Sequence, residues 1–514
     1  MKSFFKKFLF AFACIIPFIF GTGCASGTKK TNETVLTVDS KLISITQALA
    51  NQLVNENTEA AYNRMAEEYR VFVSLEAFEK EWNSKIAGEG KCTGTEEPYC
   101  SNISKSYQTV TVPYNLENGR LYASYIYSVT NVLPIGVTYS QEKPVVSQSE
   151  NAELPPLREL CKNYYKLGFG INGYTTANSA MNYPEFMELG AKQFSSCTMT
   201  NLMKPSSILD QAKSAANSKK GDESPAINFK VCDSYLQWCK DNNIQMRGHT
   251  LVWHTQTPEW FFRKNYDPKA DLVDRDTMIT RLDSFIGQYM THVQEKFPGV
   301  VYCWDVVNEC VDPGNGDPNS PFHCRMYNDK NPNQWYFTIG ADYPEVAFTI
   351  ARKYAAPGVS LIYNDYGTTD RTKREFIYTL CSDLAQKGLI DGIGMQAYWD
   401  NRNPTLKNLA DTINLYAKTG LEIQLTEWSI SAENENDDGL AAQAERYASI
   451  FRLLQKLDTQ GGGNANITCV SFFGLMDHYP LYQKDTTSSR LFDGKLNPKP
   501  VFYSVQDTLN EFYK

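Results

Sequence analysis

The stretch Trp304-Asp305-Val306-Val307-Asn308-Glu309 decides the fold of this chain, because it is a mostly apolar run that ends on an amide and a carboxylate. The run begins at Val300, and a strand that is apolar on both faces is typical of a parallel sheet covered by helices. In a (β/α)₈ barrel, the carboxyl end of each strand opens into the mouth where ligands bind. The sequence therefore predicts a buried strand that presents Glu309 at such a mouth.

A second stretch, Leu421 to Glu427, has the same form, since it is short, mostly apolar and ends on a glutamate. One strand-end glutamate alone more often caps a loop or pairs with an arginine, but two in one barrel favour paired-carboxylate chemistry. Glycoside hydrolysis needs such a pair, in which one carboxyl group protonates the leaving oxygen and the other attacks the sugar or activates water. Glu309 and Glu427 are therefore the candidate catalytic pair.

Apolar runs alternate with helical patterns from residue 157 to residue 514, as expected for strands and helices in turn. Eight of these runs are predicted strands: Leu167–Ile171, Ser195–Met199, Gln245–Leu251, Val301–Val307, Ser360–Tyr363, Gly392–Gln396, Glu422–Thr426 and Cys469–Phe473. A closed parallel barrel requires eight strands. The predicted fold is α/β, a (β/α)₈ TIM barrel over residues 157–514, preceded by a small α+β domain.

The N-terminus has the pattern of an export signal. Three lysines within the first seven residues precede the apolar run 8–20, which is too short to span a membrane as a stable helix. The small residues before Cys24 resemble a bacterial lipoprotein cleavage site, with simple secretion as the alternative. We predict a lipoprotein signal peptide over residues 1–24, lipidation of Cys24 and a polar tether over residues 25–37. The expected location is the cell envelope, at the outer membrane or cell surface.

Residues 38–143 are predicted to form a separate α+β module. Leucines from Leu42 to Leu53 recur at helical spacing, and Ser74 is a candidate N-cap for a further helix. Two strands, Tyr107–Tyr114 and Leu121–Val129, flank Asn118-Gly119, which is a strong hairpin signal. The pattern resembles NTF2-like or cystatin-like modules, and we expect a spacer or interaction domain, with sugar binding through its tyrosines as the alternative. A polar linker over residues 144–156 follows.

The net charge and the cysteine pattern indicate which binding partners, metals and disulfides to expect. The formal net charge is −8, and no basic cluster is interleaved with aromatic residues, so nucleic acid is excluded as a partner. Cysteine and histidine do not recur at zinc-binding spacing, and we expect no metal and no cofactor. Cys92 with Cys100, and Cys310 with Cys324, flank short polar loops and could form disulfides in an exported protein. We expect a monomer.

Several motifs carry a family resemblance. They are Arg247 to Gln256, Trp304 to Glu309, Tyr363 to Tyr366, Thr426-Glu427 and Asn497 to Pro500. In this order and over residues 157–514, they resemble the signatures of family-ten glycoside hydrolases, the endo-β-1,4-xylanases.

The resemblance implies a retaining mechanism on β-1,4-linked xylan, with Glu309 as acid/base, Glu427 as nucleophile and Asn308 holding the 2-hydroxyl of the sugar. It also implies a set of residues that contact the sugars: Asn201, Lys204, His249, Trp253, Gln256, Asn308, Gln396, Tyr398 and Phe473. Core packing is the alternative for His249 and Trp253. Histidine and glutamine are, however, costly to bury without hydrogen-bond partners.

The chain departs from the family pattern at several positions. Thr200 stands where a sugar-binding carboxylate is usual, Tyr398 where a histidine is usual, Ser429 where an aspartate is usual and Phe473 where a tryptophan is usual; Tyr479, Leu481 and Tyr482 occupy a loop where another tryptophan is expected. We predict that the Tyr398 hydroxyl donates a hydrogen bond to Glu427 and that Ser429 accepts a hydrogen bond from Tyr398 or supports it. The changes predict a wider subsite. A decorated xylan, another β-linked glycan, or a non-catalytic carbohydrate-binding role are therefore the alternatives to hydrolysis of linear xylan.

Overall fold

The computed structural model describes residues 40–103, 107–128, 132–144, 147–148, 155–171, 180–477 and 488–512. The predicted signal peptide, Cys24 and the tether lie outside the described residues. So do most of the linker and the loop residues Tyr479, Leu481 and Tyr482. Within the described part of the chain, no helix has both the length and the hydropathy of a membrane span.

The described residues between 40 and 148 form four helices and a mostly antiparallel sheet. The helices are Ser40–Val54, Thr58–Tyr62, Glu67–Phe72 and Leu75–Ile86, and the strands are Cys92–Thr95, Tyr99–Ile103, Tyr107–Leu116, Arg120–Ser128, Gly136–Ser140 and Ser147–Gln148. Ser74 caps the fourth helix, since its hydroxyl accepts from the N–H of Ala77, as predicted. The predicted hairpin is confirmed, because Tyr107–Leu116 pairs antiparallel with Arg120–Ser128, but its turn lies one residue earlier than predicted, since the N–H of Leu116 donates to the carbonyl of Gly119.

The remaining described residues form a closed parallel barrel. Its eight strands, numbered one to eight in chain order, are Lys166–Ile171, Ser196–Met199, Gln245–Trp253, Val301–Asn308, Ser360–Asp365, Gly392–Met395, Glu422–Ile430 and Asn466–Phe472. Each strand pairs in parallel with its neighbours, and the eighth pairs with the first. The predicted (β/α)₈ fold is confirmed. The seventh strand runs four residues beyond its predicted end at Thr426, because Ser429-Ile430 pairs with the short strand Tyr398–Trp399.

In the described part of the chain, twelve α-helices accompany the barrel strands. They are Leu157–Cys161, Pro184–Gln193, Pro205–Ile208, Gln211–Ser218, Lys230–Asp241, Arg275–Lys296, Gln334–Ile339, Tyr343–Tyr354, Arg371–Gln386, Leu406–Ala417, Asp437–Leu457 and Pro500–Phe512. Several begin at a residue whose side chain accepts from the first turn, as Asp274 does from the N–H of Thr277 and Asp370 from that of Lys373. Such caps satisfy backbone donors that the helix itself leaves unpaired.

The barrel core fixes the strand that carries Glu309. Trp304 is fully buried and packs edge to face on Tyr289 of helix Arg275–Lys296, with ring centroids 4.9 Å apart. Gly248 on the third strand leaves the room for this ring, since a Cβ there would lie 2.3 Å from the indole of Trp304. The fourth strand is therefore held rigidly between its neighbour and a helix, which positions the residues at its end.

The two predicted disulfides are wrong, because all four cysteines are free. Cys92 and Cys100 both pair with the strand Tyr107–Leu116, opposite Leu116 and Val110. Those partners are six residues apart, which places the two cysteines about 20 Å from each other along the strand, far beyond the reach of a disulfide.

Cys310 and Cys324 lie in a short antiparallel ribbon after the fourth strand. Cys324 is the direct partner of Val311, and the carbonyl of Cys310 accepts from the N–H of Arg325. Direct partners share a face of such a ribbon and successive residues alternate. The two thiols therefore leave the ribbon on opposite faces.

Candidate active site

A cavity of about 260 Å³ lies at the carboxyl ends of the barrel strands. It is lined by Gly170, Thr198, Thr200, Asn201, Lys204, His249, Trp253, Gln256, Asn308, Glu309, Gln396, Tyr398, Thr426, Glu427 and Phe473. All eleven residues that the sequence assigns to catalysis or sugar binding are in this set. The fold therefore brings together side chains from six of the eight strand ends and the loops that follow them.

Glu309 lies at the end of the fourth strand, in the left-handed backbone region with φ of 58°. Its carboxyl group is held by two neutral donors, since Trp253 Nε1 lies 2.9 Å from Oε2 and Gln396 Nε2 lies 2.8 Å from Oε1. A non-glycine residue is uncommon in this region, and such strained conformations cluster at functional sites. The backbone thus turns this carboxyl group into the cavity, and the two donors orient it.

Burial raises the pKa of Glu309 above its ordinary value. The negative charges of Asp365 and Glu427 raise it further, whereas the hydrogen bonds from Gln396 and Trp253 lower it. The balance favours a carboxyl group that keeps its proton to higher pH than a free glutamate does. Such a group is suited to donate a proton to a leaving oxygen.

Glu427, on the seventh strand, has different neighbours. Its Oε2 accepts from the Tyr398 hydroxyl at 2.5 Å, and its Oε1 accepts from Asn364 Nδ2 at 3.1 Å. The Asn364 amide is itself oriented by Thr426, whose hydroxyl donates to Asn364 Oδ1 at 2.6 Å. Both carboxylate oxygens thus accept hydrogen bonds from fixed donors, which is the arrangement that an ionised nucleophile requires.

Asn308 connects the two carboxyl groups. Its Oδ1 accepts from Asn364 Nδ2 at 3.0 Å and from Gln396 Nε2 at 3.3 Å. With its oxygen engaged by these two amides, Asn308 has its amide nitrogen left to offer to a ligand. A donor between the two carboxyl groups fits the predicted contact with a sugar hydroxyl.

A chain of polar side chains forms one wall of the cavity. Lys204 Nζ donates to Gln256 Oε1 at 2.8 Å, Gln256 Nε2 to Asn201 Oδ1 at 3.1 Å, and Asn201 Nδ2 to Thr200 Oγ1 at 3.2 Å. Lys204 Nζ also lies 4.5 Å from the centre of the Trp253 ring. This wall presents amides, a hydroxyl and one amine, which are groups that bind sugar hydroxyls.

The position of the Lys204 amine lowers its pKa. Burial lowers its pKa to about 8, against the opposing effect of the negative charges of Glu427 and Glu309. Lys204 is therefore cationic at neutral pH and loses its charge in mildly alkaline solution.

His249 is placed by a buried charge cluster below the cavity. Its Nδ1 lies 2.8 Å from Asp305 Oδ2, and the same carboxylate receives Nη1 and Nη2 of Arg247 at 3.0 and 2.5 Å. Burial raises the pKa of Asp305, but the charge and hydrogen bonds of Arg247 together with the His249 contact outweigh it and hold that pKa below its ordinary value. His249 lines the cavity, so its role is not confined to core packing.

The predicted hydrogen bond from Tyr398 to Glu427 is confirmed, whereas the one from Tyr398 to Ser429 is wrong. Tyr398 donates to Glu427, and the residue, which is 48% exposed, lines the mouth of the cavity. Ser429 does not accept from Tyr398; its hydroxyl accepts instead from Arg490 Nη1 at 3.3 Å. The physical reason is that Tyr398 and Ser429 are direct strand partners with paired backbones, and the tyrosine hydroxyl extends past Ser429 to the carboxylate.

Sequence reasoning missed two residues of this site. Asn364 bridges Asn308 and Glu427, and it stands inside the Tyr363 to Tyr366 motif, which was a signal that could have found it. Arg490 lies in the loop after the eighth strand, outside every recognised motif, and no local pattern marked it.

Comparison with known proteins agrees with this geometry. Residues 156–508 match the model of the family described as glycosyl hydrolase family 10. A protein of Caldicellulosiruptor saccharolyticus described as a putative endo-1,4-β-xylanase is 44% identical over 312 residues, which are 59% of this chain and 95% of that protein. Endo-1,4-β-xylanase B of Butyrivibrio fibrisolvens is 37% identical over 353 residues, 68% of this chain and 52% of the relative.

Solved structures show the same barrel. The carbohydrate-binding and catalytic modules of Clostridium thermocellum endo-1,4-β-D-xylanase 10B, in complex with xylohexaose, match with a TM-score of 0.63 and 27% identity, over 79% of this chain and 80% of that chain. Xylanase 10B of Thermotoga petrophila, in complex with xylobiose, matches with a TM-score of 0.57 and 28% identity, over 71% of this chain and 100% of that chain.

Proposed function

This chain belongs to glycosyl hydrolase family 10, and on that premise we propose that it is an endo-1,4-β-xylanase that cleaves xylan by a retaining double displacement. The observation that carries the proposal is the pair Glu309 and Glu427 in one cavity with opposite surroundings. One carboxyl group has a raised pKa, and the other is held by a phenol and an amide. Retaining hydrolysis needs this asymmetry, because one group must give a proton while the other attacks.

The proposed reaction has two steps. In the first, a carboxylate oxygen of Glu427 forms a bond to the anomeric carbon, the glycosidic bond breaks, and Glu309 gives its proton to the leaving oxygen. In the second, Glu309, now ionised, takes a proton from water as that water attacks the anomeric carbon and releases Glu427. Asn308 donates its amide to the 2-hydroxyl, a contact that gains strength as charge develops on the sugar.

Xylan without side groups is the leading substrate, and a decorated xylan is the second candidate. The observation that favours the second is the wall at Thr200 and Phe473, where a hydroxyl and a single ring stand in place of a carboxylate and an indole. Smaller side chains leave more room beside the sugar. A xylan that carries uronic acid or arabinose side groups would use that room.

The test is product release by the purified mature protein, without its lipid, on linear xylan, glucuronoxylan, arabinoxylan, mixed-linkage glucan and cellulose. We expect cleavage of at least one xylan, loss of cleavage in Glu427→Ala, and a first-formed product whose anomeric proton signals show the β configuration. An α first product would refute retention. Binding to a xylan without cleavage would instead support a carbohydrate-binding protein.

Export and anchoring complete the proposal. The N-terminal 24 residues direct the chain to the cell envelope, Cys24 carries the lipid, residues 25–37 act as a tether, and the NTF2-like module over residues 38–143 is a spacer in a monomeric enzyme. A polymer too large to cross the envelope must be cut outside it, which supports a surface location. Labelling of cells with a radioactive fatty acid should mark the wild-type protein and not Cys24→Ser; equal labelling would refute the anchor.

A further inference from the structure

The buried guanidinium of Arg490 is bound to Ser429, which is two residues after Glu427 on the seventh strand. Arg490 is only 7% exposed, and its Nη1 donates to Ser429 Oγ at 3.3 Å and to Ser489 Oγ. The guanidinium carbon lies 5.8 Å from the centre of the Phe473 ring. The side chain is thus fixed between the ends of the seventh and eighth strands, beside the cavity and not within its lining.

Several features hold Arg490 in this place. Its backbone N–H donates to Asp477 Oδ1 at 2.7 Å, and the Asp477 carboxylate also accepts from the buried amine of Lys499 at 2.6 Å. Gly474, at φ of 105°, provides the space, since a Cβ there would lie 2.7 Å from Arg490 Nε. A buried ion pair and a glycine in a left-handed conformation therefore define where this cation sits.

The anchor of the guanidinium lies on the strand that carries the nucleophile. Ser429 is two residues after Glu427 and is the direct strand partner of Tyr398. Trp428, between Glu427 and Ser429, packs onto Phe451 of helix Asp437–Leu457, with ring centroids 5.1 Å apart. Arg490 is therefore bound to the residue that pairs with Tyr398.

Phe473 and Tyr398 connect the two groups. The Arg490 guanidinium lies over the Phe473 ring, which packs edge to face on Tyr398 with centroids 5.3 Å apart, and the Tyr398 hydroxyl donates to Glu427. Although the residue is half exposed, desolvation of its hydroxyl end raises the pKa of Tyr398 well above its ordinary value, the negative charges of Glu427 and Glu309 add to this, and the positive charge of Arg490 opposes it. A line of contacts thus runs from the guanidinium through two rings to the carboxylate.

We propose that Arg490, held by Ser429, is a positioning residue for the nucleophile, which acts through Phe473 and Tyr398 to keep the phenol directed at Glu427. Glu427 gives up its negative charge when it bonds to the sugar, so a cation in direct contact would oppose that step. A guanidinium that acts through two rings holds the hydrogen-bond donor in place without touching the carboxylate. Arg490 itself transfers no proton and forms no covalent bond.

The direct test follows the phenolic carbon of Tyr398 by ¹³C NMR at fixed pH, with the signal assigned by Tyr398→Phe and its position without the hydrogen bond given by Glu427→Ala. In Arg490→Met we expect the signal to move toward the Glu427→Ala position, because the phenol is no longer held toward the carboxylate. Arg490→Lys should move the signal by less than half as far. The control is Arg402→Met, which makes the same change of net charge at a side chain that is 81% exposed.

An unchanged Tyr398 signal in folded Arg490→Met would overturn the inference. If that variant does not fold, Ser429→Ala removes the hydroxyl that anchors the guanidinium and leaves the charge in the chain. We expect a smaller displacement of the Tyr398 signal in Ser429→Ala, and an unchanged signal there would likewise overturn the inference.

Kinetics test whether the effect passes through Tyr398. This experiment rests on the proposed hydrolase activity and uses an aryl β-xylobioside as the substrate. Arg490→Met should lower kcat/KM, and this loss should be smaller when Tyr398→Phe is already present. Equal losses in both backgrounds would overturn the route through Tyr398. An inactive wild-type protein would refute the proposed function, while the NMR signal of Tyr398 would still decide the role of Arg490.

Discussion

The ends of the fourth and seventh strands place one glutamate each in the same cavity and give the two opposite surroundings. Glu309 accepts hydrogen bonds from the Trp253 indole and the Gln396 amide. Burial raises its pKa, and the negative charges of Asp365 and Glu427 raise it further. Glu427 accepts hydrogen bonds from the Tyr398 phenol and the Asn364 amide, and the Arg490 guanidinium is bound to Ser429, two residues further along the strand. The comparison teaches that identical side chains at equivalent positions of a barrel take different roles because of the groups that touch them.

The largest effect should come from removing either carboxyl group and asking what an added nucleophile restores. Glu427→Ala should lower kcat on xylan by roughly 10⁴-fold or more, because the attacking atom is gone. Azide can then take its place and should give the α-glycosyl azide.

Glu309→Ala leaves the nucleophile in place, so azide should intercept the glycosyl-enzyme and give the β-glycosyl azide. The NMR spectrum of each product distinguishes the two roles. The same anomer from both variants would break the comparison between the two strand ends.

The second-largest effect is expected at the Tyr398 phenol, which donates a hydrogen bond to Glu427. Tyr398→Phe removes a hydrogen bond to a charged group, which is worth about 1.5 to 3 kcal/mol, so kcat/KM should fall roughly 10- to 150-fold. The measurement is steady-state kinetics on an aryl β-xylobioside. Tyr503→Phe is the control, since Tyr503 is 53% exposed on helix Pro500–Phe512. Unchanged turnover in Tyr398→Phe would remove the role assigned to its hydroxyl.

A smaller effect should sharpen the description of Glu309. The hydrogen bond from Gln396 lowers the pKa of Glu309, so Gln396→Met should raise that pKa further. The acid then keeps its proton to higher pH, and the alkaline limb of the kcat/KM profile should move upward by about half a pH unit. A downward shift would show that Gln396 stabilises the protonated form instead.

The smallest effect on catalysis is expected far from the cavity, at a buried charged pair. Glu68 of the N-terminal module accepts from Arg452 Nε at 2.7 Å, and both side chains are 3% exposed. Glu68→Ala leaves Arg452 with one fewer partner in a buried site, which should lower the unfolding free energy by roughly 3 kcal/mol and lower Tm, with kcat/KM unchanged.

The exposed Glu81 provides the matched control, and Glu81→Ala should change neither quantity by more than a small amount. A loss of turnover in Glu68→Ala would show that catalysis depends on the contact between the module and the barrel.

The sequence alone determined the eight strands, the barrel and the membership of the cavity. These features are local or repeat along the chain: apolar runs mark buried strands, and a polar residue at the end of such a run must face the mouth of a parallel barrel. For that reason Glu309 and Glu427 could be assigned to one site from their positions in the chain, and the family resemblance of the motifs added the nine sugar-contacting residues.

Only the tertiary structure decided how these residues are paired. Asn364 and Glu427 are 63 positions apart, and Arg490 and Ser429 are 61 apart, distances at which no local pattern specifies a contact. The same holds for the four cysteines, whose spacing suggested disulfides but whose strand partners separate the thiols. Strand ends follow from local hydrophobicity, whereas hydrogen-bond partners follow from which strands the closed barrel brings side by side.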